Sequence, residues 1–135
     1  MGVADNPSER MCFACGPDNP VGLHIDYTVD ENEVCTAEFT PGEHHLSWEN
    51  TVHGGIIYSA LDDVTGNIPY ARGLVAHTGR CEIRYRRLLR AGETVLLKGW
   101  IEKEKGRLMV IRGEARRKAD NELIAECTAS FLKET

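Results

Sequence analysis

The segment of this sequence that most clearly indicates chemistry is a histidine followed by two glycines. His53, Gly54 and Gly55 stand where a polar loop gives way to apolar residues at helical spacing. The first amides of a helix have no partner inside the helix and carry the positive end of its dipole, and glycine lets another molecule approach the backbone closely. The segment could therefore hold the negative oxygen of an acyl group under attack. Alternatively, the two glycines only permit the turn into the helix.

Asp62 is the acid that could complete such a site. It follows Gly55 by seven residues, nearly two helical turns, so Gly55, Tyr58 and Asp62 share a side of the helix away from its apolar stripe. Seven residues also span about 10 Å of helix, whereas a reacting carbon lies about 3 Å from both nucleophile and oxyanion donors. We therefore expect a two-fold dimer to place Gly55 of one subunit opposite Asp62 of the other. For the neighbouring Asp63, a solvated helix acid is the favoured interpretation.

One helix is predicted directly after the two glycines. Apolar residues at i, i+4, i+7 and i+11 form a single stripe, which comprises Ile57, Leu61, Val64 and Ile68. Pro69 has no backbone N–H for the helix ladder, so we expect the helix to end near Asn67 or Ile68.

Strands are predicted on both sides of this helix. Two short alternating runs, 23–29 and 34–40, are separated by a turn and predict a hairpin. Four longer runs of period two follow the helix, at residues 78–90, 94–102, 108–117 and 123–132. Because short turns join these runs, the simplest arrangement is an antiparallel meander. The predicted class is α+β, with one helix packed on one curved antiparallel sheet.

Length, composition and charge limit the class of protein. A chain of 135 residues with 41% hydrophobic and 27% charged residues suits one ordered domain. No long apolar run and no signal sequence is present, so we expect a soluble, cytoplasmic protein with no membrane partner. The net charge is −5, and the bases concentrate in the second half of the chain, notably at Arg80, Arg84, Arg86, Arg87 and Arg90. Without interleaved aromatic residues, these bases do not predict nucleic-acid binding.

The five cysteines do not predict a disulfide framework, because their number is odd and Cys35, Cys81 and Cys127 lie within apolar alternation. Cys12 and Cys15 form a Cys-x-x-Cys pair. A tight turn of small buried residues is the favoured interpretation of that pair, a redox pair comes second, and a metal site comes last because zinc usually takes four ligands. We expect no metal and no other cofactor.

At these residues the sequence resembles the hotdog-fold thioesterases, and among them the PaaI-like acyl-CoA thioesterase group. The resemblance covers nearly the whole chain. It rests on the Cys12–Gly16 segment with the following Asn19–Leu23, on Val52–Gly55, and above all on Asp62 nine residues after His53.

The resemblance implies a hotdog fold, in which a curved antiparallel sheet wraps one long central helix. It implies a hotdog thioesterase domain at 23–135 and an N-terminal extension at 1–22. The protein would form a homodimer, often a homotetramer, with the acyl chain of an acyl-CoA substrate in a tunnel between helices and the CoA nucleotide near the surface. The reaction would be hydrolysis of the thioester to free acid and CoA.

The resemblance also implies roles for residues of this chain. The Gly55 N–H would polarise the thioester carbonyl, Asp62 of the facing subunit would activate water or attack directly, and Thr78 would orient that water. Many relatives have Asn or Gln six residues before the histidine, where the side chain helps polarise the carbonyl. This chain has Ser47 there, with Asn50 nearby, and both are expected to contact the substrate.

Other expected substrate contacts are made by Gly54, Tyr58 and Arg90, the last through a CoA phosphate because arginine pairs well with phosphate. His53 is expected to fix the loop through hydrogen bonds rather than act as a general base. A non-catalytic acyl-CoA-binding or regulatory module on the same fold stays open as an alternative. The presence of Asp62 favours catalysis, and the substitution at Ser47 favours binding alone.

Overall fold

The computed structural model describes residues 8–134, so residues 1–7 of the expected extension and Thr135 lie outside the described residues. Two short 3-10 helices span Glu9–Met11 and Glu43–His45, and one α-helix, α1, spans Gly54–Ala71. The strands are β1 Thr28–Val29, β2 Cys35–Phe39, β3 Ala76–Tyr85, β4 Val95–Lys105, β5 Leu108–Arg117 and β6 Leu123–Lys133. Within 8–134, no helix is both long and apolar enough to cross a membrane.

All six strands form one antiparallel sheet in the order β1-β2-β4-β5-β6-β3. The predicted apolar stripe of α1 faces this sheet, and Leu61, Val64 and Ile68 are completely buried in the core. Glycine allows the closest approach, since a Cβ at Gly99 of β4 would lie 2.7 Å from the Val64 carbonyl oxygen. One long helix on one curved sheet is the predicted hotdog fold, which the structure confirms.

The predicted hairpin is present as β1 and β2, although β1 is shorter than the alternating run. Before it, Leu23, Ile25 and Tyr27 are buried as the alternation predicts. Their backbone is satisfied elsewhere, because the Leu23 and Ile25 N–H groups donate to the carbonyls of Phe13 and Ala14 at 2.8 and 2.9 Å. The N-terminal segment, residues 8–22, is therefore packed against the domain alongside residues 23–25.

The meander prediction is wrong for the strand that follows the helix. Only β4, β5 and β6 form a meander, whereas β3 pairs with β6 at the far edge of the sheet. β3 also ends at Tyr85, five residues before the predicted end at Arg90. There the Arg86 and Arg87 N–H groups both donate to the Ile124 carbonyl, at 2.7 and 3.2 Å, which stops regular pairing.

The crossover from β3 to β4 passes the loop that precedes the helix. Leu89 is buried, and its carbonyl accepts from the Val52 N–H at 2.8 Å. Arg90 forms an isolated antiparallel bridge with Thr51. Local alternation could not predict that Leu89 and Arg90 pair with this loop instead of with a strand. The loop lies almost forty residues earlier in the sequence.

α1 continues through Pro69 to Ala71, so the predicted end at Asn67 or Ile68 is wrong. Proline removes one N–H from the ladder, and here only two helical residues follow it. The Pro69 carbonyl accepts from the Arg72 and Leu74 N–H groups, both at 3.1 Å, which closes the last turn. The proline ring is itself buried, so packing favours its place in the helix.

Candidate functional site

A cavity of about 360 Å³ lies beside the second half of α1. Its walls come from the N-terminal segment, from residues 25–27, from α1, from the start of β3 and from Phe131 of β6. Four acidic residues line it, namely Glu9, Asp26, Asp62 and Asp63, and among the described residues His77 is its only basic lining residue. The cavity is therefore a poor environment for a phosphate group but offers carboxylates for acid-base or nucleophilic chemistry.

Asp62 and Thr78 meet in this cavity. The Thr78 hydroxyl donates to Asp62 Oδ1 at 3.1 Å, and both residues are accessible to solvent. The pairing of β3 with β6 shifts register between Thr78 and Arg80, so a bulge at Gly79 adjoins this contact. Bulges re-aim side chains at the edges of sheets. Two residues named separately from the sequence are thus brought within hydrogen-bond distance.

Asp63 is not the solvated helix acid that the sequence predicted. It is half-buried, and the Cys12 thiol contacts its Oδ2 at 3.4 Å. Burial raises the pKa of the Asp63 carboxyl to about 7. The prediction was wrong because the N-terminal segment packs over this side of α1. The spacing of residues within the helix contains no information about that contact.

Cys12 and Cys15 occupy a tight turn, as the favoured interpretation predicts, although both are half-buried rather than buried. The Gly16 N–H donates to the Cys12 carbonyl at 2.8 Å, and a Cβ at Gly16 would lie 2.4 Å from the Cys12 nitrogen. A hydrogen bond from the Cys15 thiol lowers the pKa of Cys12 to about 5, and the same bond raises the pKa of Cys15. All five cysteines are free thiols.

At the other end of the helix, His53 is the N-cap of α1. Its ring Nδ1 accepts from the Gly55 N–H at 2.9 Å, and its backbone N–H donates to the His45 carbonyl at 2.8 Å. These bonds fix the loop to the helix. They also mean that the Gly55 N–H, the predicted oxyanion donor, already has an acceptor within its own chain.

Gly54 and Gly55 are the first two residues of α1, and the alternative that they only permit the turn stays open. Neither has a positive φ angle. Both lie close to side chains, because a Cβ at Gly54 would lie 3.3 Å from the Tyr85 ring and one at Gly55 would lie 3.1 Å from His53 Nδ1. The Tyr85 hydroxyl also donates to the Gly54 carbonyl at 2.8 Å.

A second cavity, of about 200 Å³, opens at this end of α1. Ser47 and Gly54 line it together with Ile57 and Tyr85, whereas Asn50 does not. Asn50 has a φ of 58°, and its carbonyl accepts from the Ala91 N–H at 3.2 Å. Of the two loop residues predicted to contact substrate, the structure places only Ser47 at a cavity.

The remaining predicted substrate contacts, Tyr58 and Arg90, line neither cavity. Tyr58 lies next to Cys81, and burial raises the pKa of its hydroxyl to about 12. The Arg90 guanidinium donates to the Glu49 carbonyl and, at 3.3 Å, to the Thr51 hydroxyl. Arg90 therefore holds the loop that precedes the helix.

Comparisons with known proteins agree with this fold. The chain is 28% identical over 115 residues to acyl-coenzyme A thioesterase THEM4 of Mus musculus, an alignment that covers 83% of this chain and 50% of that protein. The E. coli PaaI protein from the phenylacetic acid degradation operon has a TM-score of 0.76 and 20% identity, over 82% of this chain and 83% of that chain. The smu.793 protein of Streptococcus mutans, solved bound to acetyl-CoA, has a TM-score of 0.76 and 19% identity, over 82% and 88%.

The chain spans about half the length of the curated relative that it matches. The sequence pattern of the thioesterase superfamily matches residues 49–124, which is more than half of the 135 residues and includes α1 and strands β3 to β5. The resemblance to the hotdog-fold thioesterases is thereby confirmed, and this chain belongs to the thioesterase superfamily.

Proposed function

We propose that this protein is an acyl-CoA thioesterase that hydrolyses the thioester to free acid and CoA. The observation that carries the proposal is the Asp62 carboxylate, held by the Thr78 hydroxyl at 3.1 Å on the wall of an open cavity. A positioned carboxylate with a hydroxyl beside it is suited to water activation or to direct attack on a carbonyl.

Asp62 can act in two ways, and both end in the same products. As a general base it takes a proton from water while the water oxygen attacks the thioester carbonyl. As a nucleophile it forms a mixed anhydride and releases CoA, and water then hydrolyses the anhydride to free acid. In both cases the carbon–sulfur bond breaks and the CoA sulfur leaves with a proton. Thr78, which donates to one carboxylate oxygen, orients Asp62 and the water beside it.

The Gly55 N–H is the proposed donor to the carbonyl oxygen, whose charge grows during attack. His53 Nδ1 now accepts from that N–H, so the substrate oxygen has to compete with the imidazole. Release of one hydrogen bond by rotation of the His53 ring is a small movement of an exposed side chain. We infer that substrate binding at this end of the helix displaces the ring.

A homodimer is the proposed catalytic unit. In one chain Gly55 and Asp62 are separated by about 10 Å of helix, and the cavity at the helix start is separate from the cavity that holds Asp62. β3 presents a ten-residue edge that no other strand of the described chain covers. Long open edges invite pairing with another chain. Association of two copies through β3 would explain both features, and further pairing to a tetramer is an extension of the same proposal.

The acidic lining of the larger cavity suggests how acyl-CoA is oriented. Four acidic residues disfavour the phosphates of CoA there, so we propose that the acyl chain and thioester enter and that the nucleotide stays at the surface. Contact of Arg90 with a CoA phosphate stays a prediction. An increased Michaelis constant in Arg90→Ala at unchanged kcat would support it, and a loss of stability alone would contradict it. A cytoplasmic location also stays a proposal.

The test is release of free CoA thiol from short, medium, long and phenylacetyl-type CoA thioesters by the wild type, Asp62→Asn and Asp26→Asn. Asp26 is a matched control, because it removes a carboxylate from the same cavity wall without touching Thr78. We expect kcat to fall by about 10²- to 10⁴-fold in Asp62→Asn, as for loss of a general base, and to stay within about threefold in Asp26→Asn.

The same panel separates catalysis from binding alone. No thiol release from any ester, combined with a rise in melting temperature on addition of acyl-CoA, would contradict the enzyme and favour the non-catalytic binding module. Equal loss of activity in both variants would show that the cavity needs its charge rather than Asp62 in particular.

A further inference from the structure

We propose that Cys12, Cys15 and Asp63 form a binding site for a zinc-type divalent metal ion. This site is separate from the role of Asp62 and does not depend on thioester hydrolysis. The Cys-x-x-Cys pair alone supplies two ligands, which is why the sequence favoured a simple turn. The structure adds a third ligand from α1.

The ligand atoms have the spacing that zinc needs. The two Sγ atoms and a carboxylate oxygen of Asp63 all lie within 4.8 Å of one another, and among the residues described this is the one such group of three. The distance from Cys12 Sγ to Asp63 Oδ2 is 3.4 Å. In tetrahedral zinc, with Zn–S of about 2.3 Å and Zn–O of about 2.0 Å, neighbouring sulfur and oxygen ligands lie about 3.5 Å apart. The distance between Cys12 and Asp63 already matches that spacing.

The donor set indicates the class of metal. Two thiolates select borderline or soft ions over magnesium and calcium, which prefer oxygen ligands only, and a carboxylate is an ordinary third ligand of zinc. The three residues are half-buried, so a cation would offset negative charge that solvent only partly screens.

The backbone around the cysteines is already fixed in the required turn. Gly16 approaches Cys12 so closely that no other residue fits without a shift, and the Gly16 N–H closes the turn on the Cys12 carbonyl. Asp63 lies on α1, 51 residues further along the chain than Cys12. A metal ion here would cross-link the N-terminal segment to the helix that carries Asp62.

The fourth coordination position would face the larger cavity. Cys12, Cys15 and Asp63 all line that cavity, so water can reach a bound ion from that side. Three protein ligands with an exchangeable fourth are typical of an open zinc site rather than a closed structural one.

The test uses Co²⁺ as a spectroscopic substitute for Zn²⁺, with untagged, reduced protein. We expect one Co²⁺ per chain, with a sulfur-to-cobalt charge-transfer band and intense tetrahedral ligand-field bands, and we expect Zn²⁺ to displace it. Zn²⁺ should also raise the melting temperature. Cys12→Ser, Cys15→Ser and Asp63→Asn should each weaken binding by more than the roughly 10- to 100-fold that loss of an outer-sphere partner costs.

Cys81→Ser is the matched control, because Cys81 is also a half-buried free thiol but lies on β3 away from the cluster. It should keep the cobalt spectrum, and thiol titration with zinc present should show protection of two of the five cysteines in the wild type. Weak octahedral cobalt bands without charge transfer would overturn the proposal, and so would a spectrum shared by all the variants. A Cys12–Cys15 disulfide that forms in air even with Zn²⁺ present would favour the redox pair instead.

Discussion

The two ends of α1 offer different kinds of candidate groups for the proposed reaction, and they are built in different ways. At the start of the helix the functional groups are backbone amides, positioned by contacts between near neighbours such as His53 and Gly55. In its second half they are side chains, and their partners come from distant parts of the chain, Thr78 from β3 and Cys12 from the N-terminal segment. The donor end is local, whereas the carboxylate end depends on the whole fold.

About 10 Å of helix separates Gly55 at the start of α1 from Asp62. Gly54 borders one cavity and Asp62 borders another, and Gly55 lines neither of them. If the two ends act in one reaction, they have to come from different copies of the chain.

The largest effect is expected from a mixed dimer of Asp62→Asn and Gly55→Pro chains. Proline removes the Gly55 N–H in the first turn of α1, where no backbone bond of the helix ladder is lost, although the N-cap bond to His53 is lost with it. Each homodimer should be nearly inactive. The mixed dimer has one site with both groups intact, so it should recover about half of the wild-type kcat per dimer. Differently tagged chains, co-expressed and purified through both tags, allow the thiol-release measurement.

Homodimers of each variant, with circular dichroism to verify folding, are the controls for the mixed dimer. A mixed dimer no more active than its parents would contradict a shared site and place both groups in one chain.

A smaller effect is expected at the carboxylate end from Thr78→Val, which removes the hydroxyl that donates to Asp62. We expect kcat to fall by about tenfold, equivalent to about 1.4 kcal/mol of transition-state free energy. Thr78→Ser keeps the hydroxyl and should stay within about threefold. Equal losses of activity in the two variants would indicate that packing of the methyl group, not the hydrogen bond, is what matters.

At the donor end, His53→Ala should lower the free energy of unfolding by about 1 kcal/mol, because the helix loses its N-cap acceptor. His53→Asn offers another capping oxygen and should recover most of that loss. Urea unfolding of the three proteins measures the difference. If His53→Ala unfolds at the wild-type urea concentration, the bond from Gly55 contributes nothing to stability.

The smallest effect is expected from Tyr85→Phe, also at the donor end. The Tyr85 hydroxyl donates to the Gly54 carbonyl, but the residue is 51% exposed and water can replace the bond. We expect a loss of about 0.5 kcal/mol in the free energy of unfolding. A loss well above that, in the same urea experiment, would mean that the tyrosine organises the helix entrance.

The sequence predicted what depends on local spacing. The apolar stripe predicted α1 and its buried face. Period-two alternation predicted the strands, because successive side chains of a strand point alternately to the core and to solvent. Asp62 and Thr78 were named separately, the latter only through a family resemblance. Their hydrogen bond could not be predicted, because it depends on a bulge at Gly79 and on how β3 pairs.

What the sequence did not predict depends on long-range packing. Three such contacts join residues about forty or more positions apart. They are the pairing of β3 with β6, the contact of Cys12 with Asp63 and the bridge between Thr51 and Arg90. The predicted end of the helix before Pro69 was a different kind of error. Proline lacks the N–H that a helix needs, but burial of Pro69 outweighed that loss.

The pairing of β3 has a consequence for the order in which the molecule matures. Residues paired between β3 and β6 are separated by 40 to 57 positions, so during synthesis the strand that carries Thr78 emerges well before its partner. Contacts of such separation form late and slowly in folding. Until then, contacts with α1 alone, such as the Tyr85–Gly54 hydrogen bond, hold β3 near Asp62, and its open edge is exposed to other nascent chains. We therefore expect the Thr78–Asp62 hydrogen bond to reach its final geometry late in folding.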